Sequence, residues 1–127
     1  MIVGIGVDVV DLARFERAAT RTPRLLPRLF AESERVAGDG RVLSLRSLAA
    51  RYAAKEALIK AIGHSDGVFW HDMRVIADER GNPHFETSGA LAPWLAQHDI
   101  SALHVSLSHD AGVAIAYVIA ESAGAPR

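Results

Sequence analysis

The chain has no cysteine, and this absence removes several kinds of chemistry at once. A disulfide framework and a thiolate nucleophile or metal ligand are both excluded. The six histidines show no zinc spacing such as H-E-x-x-H. Neither a thiol-dependent enzyme nor a zinc enzyme of that type is therefore expected.

No hydrophobic run approaches the ~18–20 residues that a membrane-spanning helix needs. The apolar N-terminus is short, contains Asp8 and lacks a basic leader, so no signal peptide is predicted. Half of the 127 residues are hydrophobic, which is enough for a core, and one domain over residues 1–127 is expected. We therefore expect a cytoplasmic protein that makes no membrane contact.

Net charge is close to zero, but its distribution along the chain is uneven. Residues 1–60 hold 11 Lys/Arg and 7 Asp/Glu, whereas residues 61–127 hold 3 and 8. A basic half often meets an acidic partner, although a randomly uneven surface explains these counts equally well. The phosphate-binding loop G-x-x-x-x-G-K-[ST] and the nucleophile elbow G-x-S-x-G are both absent. Enzymes built on either motif are not expected.

Mixed strand and helix signals predict an α+β fold in which a largely antiparallel sheet packs with one long helix. Ser44 is suited as the N-cap of that helix and Gly63 as its C-cap. Asp11 is expected to cap an earlier helix that runs to about Ala19, with Val10 and Phe15 as a hydrophobic staple. The remaining predictions are short helical turns ending near 30 and starting at 33, strands at 2–9, 73–78, 84–87, 103–109 and 113–120, a polar loop at 64–67, a helix at 88–97 and a frayed tail at 122–127.

The long helix carries a glutamate in an apolar setting. At about 100° per residue, Glu56 falls near the middle of one apolar face. The other members of that face are Leu45, Leu48, Ala49, Tyr52 and Ile59. A carboxylate aimed at a core is costly unless it is paired, hydrogen-bonded or bound to a metal. The alternative is an i,i+4 pair with Lys60 on a surface helix, worth about 0.2–0.5 kcal/mol.

The first strand carries a second carboxylate in an unfavourable place. Asp8 lies in an apolar, β-branched run, where Asp is depleted, and alternation puts it on the face of Gly4 and Gly6. Those glycines leave room for another backbone, and if the Glu56 helix packs there the two acids meet. Neighbouring carboxylates repel unless a cation or a proton lies between them, and an oxygen-only ligand set favours Mg²⁺. Asp8 and Glu56 are therefore our candidate metal pair.

Arginines crowd the first helix and the segment after it. They are Arg14, Arg17, Arg21, Arg24 and Arg28. Arg14, Arg17 and Arg21 share one face if the helix persists, and guanidinium groups suit carboxylates and phosphates. Nucleic acid is one possible partner, but the patch lacks interleaved aromatics and the whole chain is slightly acidic. An acidic protein helix fits the patch better.

Further cations and one histidine complete the candidates. Lys55 and Lys60 flank Glu56, and Arg46 and Arg51 lie earlier on the same helix. Phosphate chemistry needs cations near a metal, although solvated helix charge is the alternative and is expected for at least one of the four. His109 lies at a strand end, where side chains reach sites, but a lone histidine is more often structural.

Four segments resemble those of the holo-[acyl-carrier-protein] synthase family, the small bacterial 4'-phosphopantetheinyl transferases. They are Gly4-Ile5-Gly6-Val7-Asp8, Arg51-Tyr52-Ala53-Ala54-Lys55-Glu56-Ala57 with Lys60, Gly81-Asn82-Pro83, and His104-Val105-Ser106-Leu107-Ser108-His109. Their order and spacing agree over nearly the whole chain. The resemblance implies the phosphopantetheinyl transferase fold and a transfer of 4'-phosphopantetheine from coenzyme A to a serine of apo acyl carrier protein. Release of 3',5'-ADP and a place in fatty acid biosynthesis are implied with it.

The same resemblance implies roles for individual residues. Asp8 and Glu56 match the family's metal acids, which hold Mg²⁺, and Lys60 matches its catalytic lysine. Coenzyme A contacts are implied for Arg46, Arg51, Lys60, Gly63, Pro83, Ser108 and His109. Docking of the carrier protein is implied for Arg14, Arg21, Arg24 and Arg28. Ile59 and His64 depart from residues common in the family, whose small members are homotrimers with sites between subunits.

Two functions from other classes remain open. A Mg²⁺-dependent nucleotide pyrophosphohydrolase would use Asp8 and Glu56 but would not need the arginines at 14–28. A binding module for acidic protein helices or nucleic acid would keep the arginines and need neither acid.

Overall fold

The structure, a computed structural model, describes residues 1–63, 66–67 and 69–124. Its helices are α1 (Leu12–Arg21), α2 (Leu25–Leu29), α3 (Glu32–Arg35), α4 (Leu45–Ile62) and α5 (Leu91–Gln97). Its strands are β1 (Ile2–Asp11), β2 (Met73–Ala77), β3 (Pro83–Thr87), β4 (Ala102–Asp110) and β5 (Val113–Glu121), and a 3₁₀ turn spans Trp70–Asp72. The predicted α+β fold is confirmed.

The strands form two antiparallel units. One is a three-stranded sheet in the order β1-β5-β4, and the other is the β2-β3 hairpin. In the larger sheet Asp8 pairs with Ala116, which pairs on its other side with Leu107. The largely antiparallel sheet that the sequence predicts is therefore present, with β5 between β1 and β4.

Helix α4 packs against the sheet at unusually short range because β1 carries two glycines. A Cβ built on Gly6 would overlap the carbonyl oxygen of Ala57, and one on Gly4 would overlap that of Ala61. These glycines therefore admit a second backbone, as the sequence predicts. The same packing fixes the helix beside Asp8, two residues further along β1.

The buried stripe of α4 agrees with the predicted one at Leu48 and Ala49 and differs from it further along the helix. Its buried residues beyond the first two turns are Ala53, Ala54, Lys55, Ala57, Leu58 and Ala61. Tyr52, Glu56 and Ile59, which we placed on the core face, are half-buried at its margin. Alanine faces the sheet because close packing leaves no space for larger side chains. A pattern weighted toward large apolar residues places the core face wrongly in such a helix.

The predicted helix caps are confirmed. Asp11 Oδ1 accepts a hydrogen bond of 2.8 Å from the Arg14 amide, and Ser44 Oγ accepts one of 3.2 Å from Ser47. Gly63 ends α4 in the left-handed region with φ of +87°.

One predicted boundary is wrong. The helix expected from 88 begins only at Leu91, because Gly89 has φ of +55° and the Ser88 carbonyl accepts from the Leu91 amide in a turn. Positions 64, 65 and 125–127 lie outside the described residues, so the departure at His64, part of the loop at 64–67 and most of the tail at 122–127 stay predictions. No helix in the described ranges is long and apolar enough to cross a membrane.

The sheet face turned away from α4 is apolar and exposed. Ile5, Val7 and Val9 alternate with the inward-facing residues of β1 and are 60, 39 and 58% exposed. Tyr117 of β5 lies opposite Val7 and is 55% exposed. Contiguous apolar surface of this kind usually marks an interface.

Candidate active site

A cleft of about 500 Å³ opens between β1, α1, α2 and α4. Its acidic lining residues include Asp8 and Glu56, and Arg14 contributes a cation. Its apolar and aromatic lining residues include Val10, Phe15, Ala18, Leu25, Leu29 and Tyr52. The two acids that the sequence singles out therefore share one cleft, because Gly4 and Gly6 let α4 approach β1.

Lys60 contacts Asp8 across the helix–sheet boundary. Its Nζ donates to Asp8 Oδ1 at 3.2 Å and to the Val7 carbonyl at 3.0 Å. The Asp8 side chain is 17% exposed and that of Lys60 is 55% exposed. Among the described residues, the acid that Lys60 pairs with is Asp8, so the alternative pair with Glu56 is not formed. A largely exposed cation thus lies beside the candidate metal pair.

Tyr52 is a cleft residue to which the sequence analysis gave no functional role. Its ring lies between those of Phe15 and Trp70, with centroids 5.8 and 5.7 Å away. Burial, a hydrogen bond to the Glu56 carboxylate and the negative charges of Glu56 and Asp8 raise the pKa of Tyr52 to about 12. Tyr52 precedes Glu56 by four residues on α4, and this i,i+4 spacing is the signal that could have found it.

The donor set suits a hard cation. In the described part of the chain, no group of three or more His, Asp and Glu side chains could hold a metal. Two carboxylates without histidine or thiolate are typical of Mg²⁺ sites, where water and substrate phosphate complete the shell. Asp8 and Glu56 therefore fit Mg²⁺ and do not fit a structural zinc.

Lys55 does not lie in the cleft, and both predictions for it, a phosphate-binding cation or a solvated helix charge, are wrong. Its side chain is completely buried, and its Nζ lies 2.8 Å from Glu34 Oε1, which is equally buried. Burial lowers the pKa of Lys55, although the Glu34 charge opposes this shift. Lys55 is thus neither a phosphate-binding cation nor a solvated helix charge. Nothing in the local sequence indicates that Glu34 is buried, because a glutamate in a short helical turn is usually exposed.

Two further cations lie away from the acids. Arg51 Nε donates to the Val75 carbonyl at 3.3 Å and its guanidinium also reaches the Ser47 carbonyl at 3.3 Å, so it ties α4 to β2. Burial lowers the pKa of Arg51. Arg46 is exposed in the first turn of α4, ten residues from Glu56 and thus about 15 Å along the helix. Within a single chain, therefore, neither arginine lies beside the acid pair.

The remaining predicted coenzyme A contacts are also spread over the surface. His109 lies on the helix side of β4 in register with Ala114. Because β5 lies between β4 and β1, His109 is two strand spacings, or about 10 Å, away from β1. Ser108 lies on the opposite, outward face of β4. Pro83 starts β3 opposite Ala77, and Gly63 is exposed at the end of α4.

The arginines form an exposed strip beside the cleft. Arg14, Arg17 and Arg21 share α1, and all three are exposed. Arg14 lines the acidic cleft, whereas Arg17 and Arg21 line a neighbouring depression of about 530 Å³. Arg24 and Arg28 continue the strip before and within α2. In the described ranges none of the five forms an ion pair with an acid, so the strip presents unpaired positive charge.

Known proteins share this fold. The model of the 4'-phosphopantetheinyl transferase superfamily matches residues 4–118. The chain belongs to this superfamily. The family membership expected from the sequence is therefore confirmed.

Individual relatives agree with the family match. The holo-[acyl-carrier-protein] synthase of Clavibacter sepedonicus is 55% identical over 125 residues, which cover 98% of this chain and 100% of the relative. The crystal structure of the Neisseria meningitidis synthase has a TM-score of 0.86 at 32% identity and covers 96% of this chain and 100% of its own. The Helicobacter pylori synthase, solved in complex with coenzyme A, has a TM-score of 0.80 at 31% identity, with 92 and 99% covered.

Proposed function

We propose that this protein transfers the 4'-phosphopantetheine group of coenzyme A to a serine of apo acyl carrier protein and releases 3',5'-ADP. The observation that carries the proposal is the shared cleft of Asp8 and Glu56, with Lys60 bound to one acid and the arginine strip at its rim. A transferase that acts on a protein needs both a phosphate-handling site and a protein-docking surface beside it. Family membership supports the same reaction.

Asp8 and Glu56 would hold Mg²⁺, and they fit this ion because both donors are carboxylates and the described residues that line the cleft include no histidine. Mg²⁺ bound there would neutralise negative charge on the pyrophosphate oxygens of coenzyme A. The interaction with Glu56 that raises the pKa of Tyr52 would help to orient this carboxylate, as outer-shell partners of ligating carboxylates do.

The reaction is a direct displacement at the β-phosphorus. The serine oxygen of the carrier protein forms the new bond to phosphorus, and the bond to the oxygen bridging to the α-phosphate breaks. The ammonium group of Lys60 stabilises charge on the phosphoryl oxygens and on the departing 3',5'-ADP. The serine proton passes to a cleft carboxylate or to water. No covalent enzyme intermediate is required.

The arginine strip is the proposed docking surface for the carrier protein. Arg14, Arg21, Arg24 and Arg28 are exposed and carry no intramolecular ion pair in the described residues. Guanidinium groups are weakly hydrated and pair well with carboxylates, so an acidic helix of the carrier protein is the partner this surface favours. Arg14 lines the cleft as well as the strip, so a carrier protein bound to the strip would bring its serine near the acids.

We further propose that the protein is a homotrimer with sites shared between subunits. The exposed apolar face around Val7 and Tyr117 needs a cover, and a second copy of the chain can supply one. Arg46, Arg51, Gly63, Pro83, Ser108 and His109 are scattered around a single chain, so contacts from several of them to one coenzyme A fit an assembly better than a monomer. A single domain over 1–127, a cytoplasmic location and a role in fatty acid biosynthesis complete the proposal.

The test is mass spectrometry of apo acyl carrier protein incubated with coenzyme A, Mg²⁺ and this protein. We expect the carrier protein to gain the phosphopantetheine mass, and a carrier protein with its acceptor serine changed to alanine to gain nothing. Cleavage of coenzyme A without a carrier protein would favour a nucleotide pyrophosphohydrolase. Binding of the carrier protein without either reaction would favour a non-catalytic docking module.

A further inference from the structure

We propose that the buried Lys55–Glu34 pair is a positioning device that holds α2 against α4, and so sets the wall of the cleft and the arginines that α2 carries. The inference rests on the proposed function, because it assigns the pair a role in carrier recognition. The transfer mechanism itself uses neither residue.

Lys55 satisfies every donor of its ammonium group inside the protein. Its Nζ donates to the Leu29 carbonyl at 2.6 Å, to Glu34 Oε1 at 2.8 Å and to the Trp70 carbonyl at 3.0 Å. The ammonium also lies 4.9 Å from the centroid of the Phe30 ring. One side chain of α4 thereby holds the end of α2, the α3 turn and the 3₁₀ turn.

Glu34 is satisfied in the same way. Its Oε1 accepts from the Ala31 amide at 3.0 Å, and its Oε2 accepts from the Val75 amide at 3.0 Å. The carboxylate therefore ties α3 and β2 to the ammonium of Lys55. Both side chains have no exposed surface at all.

A buried ion pair is a poor means of adding stability, because apolar residues of similar volume often do as well. Its specific property is that a charged group fixes several oxygen atoms at defined points. Two of the three acceptors of Lys55 are backbone carbonyls, at Leu29 and Trp70, in segments 41 residues apart. Position, rather than stability, is therefore the property that an apolar replacement would not reproduce.

Helix α2 cannot fix its own position. It has only five residues, no side-chain cap, and Pro27 inside it. Helices of this length are not stable without tertiary contacts. Leu25, Leu26 and Leu29 pack against the core, and the backbone of α2 is held at two carbonyls: that of Leu29 by Lys55, and that of Pro27 by His71 Nε2 at 2.8 Å.

The placement of α2 matters for both halves of the proposed site. Leu25 and Leu29 line the acidic cleft, and Arg28 is exposed on the strip. Lys55 immediately precedes Glu56 on α4, so the anchor of α2 and a metal acid belong to one rigid helix. Loosening this anchor should misplace the docking surface relative to the acids while leaving the acids where they are.

The experiment compares the wild type with Glu34→Gln/Lys55→Met, which removes both buried charges together. A matched control, Asp39→Asn/Arg41→Met, makes the corresponding change at an exposed pair of the same 2.8 Å length. We expect KM for apo carrier protein to rise roughly five- to thirtyfold in the buried-pair variant, with KM for coenzyme A and Mn²⁺ affinity little changed. The control should resemble the wild type.

Hydrogen exchange tests the positional role without relying on transfer activity. The amides of Arg28 and Phe30, bonded to the carbonyls of Arg24 and Leu26, should lose protection in the buried-pair variant, whereas the Gly63 amide at the end of α4 should keep it. If the wild type transfers nothing, the proposed function fails, but retained or lost protection in α2 still decides whether the pair anchors it.

Unchanged α2 protection would overturn the inference. An unchanged KM for the carrier protein would also overturn it. If carrier KM, coenzyme A KM and metal affinity all worsened equally, a general loss of structure would explain the result and the inference would fail. If the double variant does not fold, Lys55→Met alone decides, since it removes all three bonds of the ammonium group and leaves Glu34 its two amide donors. It should lower α2 protection and raise carrier KM in the same direction, and wild-type values in both measurements would contradict the proposal.

Discussion

Lys60 on α4 and Asp8 on β1 are 3.2 Å apart, although 52 residues separate them in the chain. The contact crosses the helix–sheet boundary where Gly4 and Gly6 bring α4 close to the strand. More than half of the Lys60 side chain is exposed, so its ammonium can turn toward a bound phosphate without leaving a buried position. This pairing places a cation beside one acid of the candidate metal pair.

The first prediction concerns this lysine. Lys60→Met should lower kcat by about 10²-fold, the usual effect of removing one group that stabilises transition-state charge. Lys60→Arg should retain part of the rate, because the charge remains. Steady-state kinetics should show KM for the carrier protein little changed in both variants. A loss confined to that KM would place Lys60 in docking instead.

The second prediction concerns the arginine strip. Arg14→Glu/Arg21→Glu should raise KM for the carrier protein and leave coenzyme A affinity little changed, because both side chains are exposed and unpaired in the described structure. Added salt should weaken wild-type transfer, since exposed charges are screened over ~8–10 Å. Calorimetry showing that the variant loses coenzyme A binding would identify the strip as a nucleotide site.

The candidate site was predictable from the sequence where a residue contradicted its surroundings. Asp8 in a β-branched strand and Glu56 in an apolar helix both stood out, and the glycines of β1 predicted the close packing that unites them. The buried pair escaped because neither residue is unusual locally: Lys55 looks like helix surface, and Glu34 lies in a short turn. Their burial depends on contacts with residues 15 to 41 positions away in the chain, which no local pattern records.

The fold followed from alternation and caps, and its errors have local causes. Asp11, Ser44 and Gly63 mark helix ends through side-chain or backbone chemistry that a sequence displays directly. The start of α5 was placed three residues early, because a turn at Gly89 continues the same polar-to-apolar pattern. The core face of α4 was misplaced because alanines, rather than large residues, contact the sheet.

The third prediction concerns pH and Tyr52, whose pKa is raised to about 12 in the folded protein. Because this value exceeds the usual value near 10, the folded state binds more protons than the unfolded state between those limits. The contribution of Tyr52 to the free energy of unfolding is therefore retained below about pH 10 and lost as pH rises toward 12. Denaturant unfolding across this window should show the decline.

Tyr52→Phe provides the control for that measurement, because it keeps the ring between Phe15 and Trp70 and removes the hydroxyl. Its stability should depend less on pH between 10 and 12 than that of the wild type. In a Tyr117→Phe protein, Tyr52 is the remaining tyrosine, and its phenolate absorbance should show a midpoint near 12. Glu56→Gln should lower that midpoint by removing a nearby negative charge. An unchanged midpoint would show that the charge of Glu56 does not act on the Tyr52 hydroxyl.

The fourth prediction concerns assembly. If the site is shared between subunits, Asp8→Ala and His109→Ala proteins that are mixed, dissociated and reassembled should regain some transfer activity. Mixed rings would contain an interface with both residues intact, whereas β5 separates these residues within one chain. Light scattering should show a trimer. A monomer, or mixtures as inactive as their parents, would require each chain to carry a complete site.

The most direct measurement for the whole account is the rate of phosphopantetheine transfer as a function of Mg²⁺ in Asp8→Asn, Glu56→Gln and the wild type. Asp99→Asn, which removes an exposed carboxylate in a left-handed turn, is the matched control. We predict that wild-type and control rates rise with Mg²⁺ and vanish on chelation, while both cleft variants stay about 10³-fold slower at every concentration. Near-normal transfer by both cleft variants at ordinary Mg²⁺ would contradict the assignment of Asp8 and Glu56 as the metal pair.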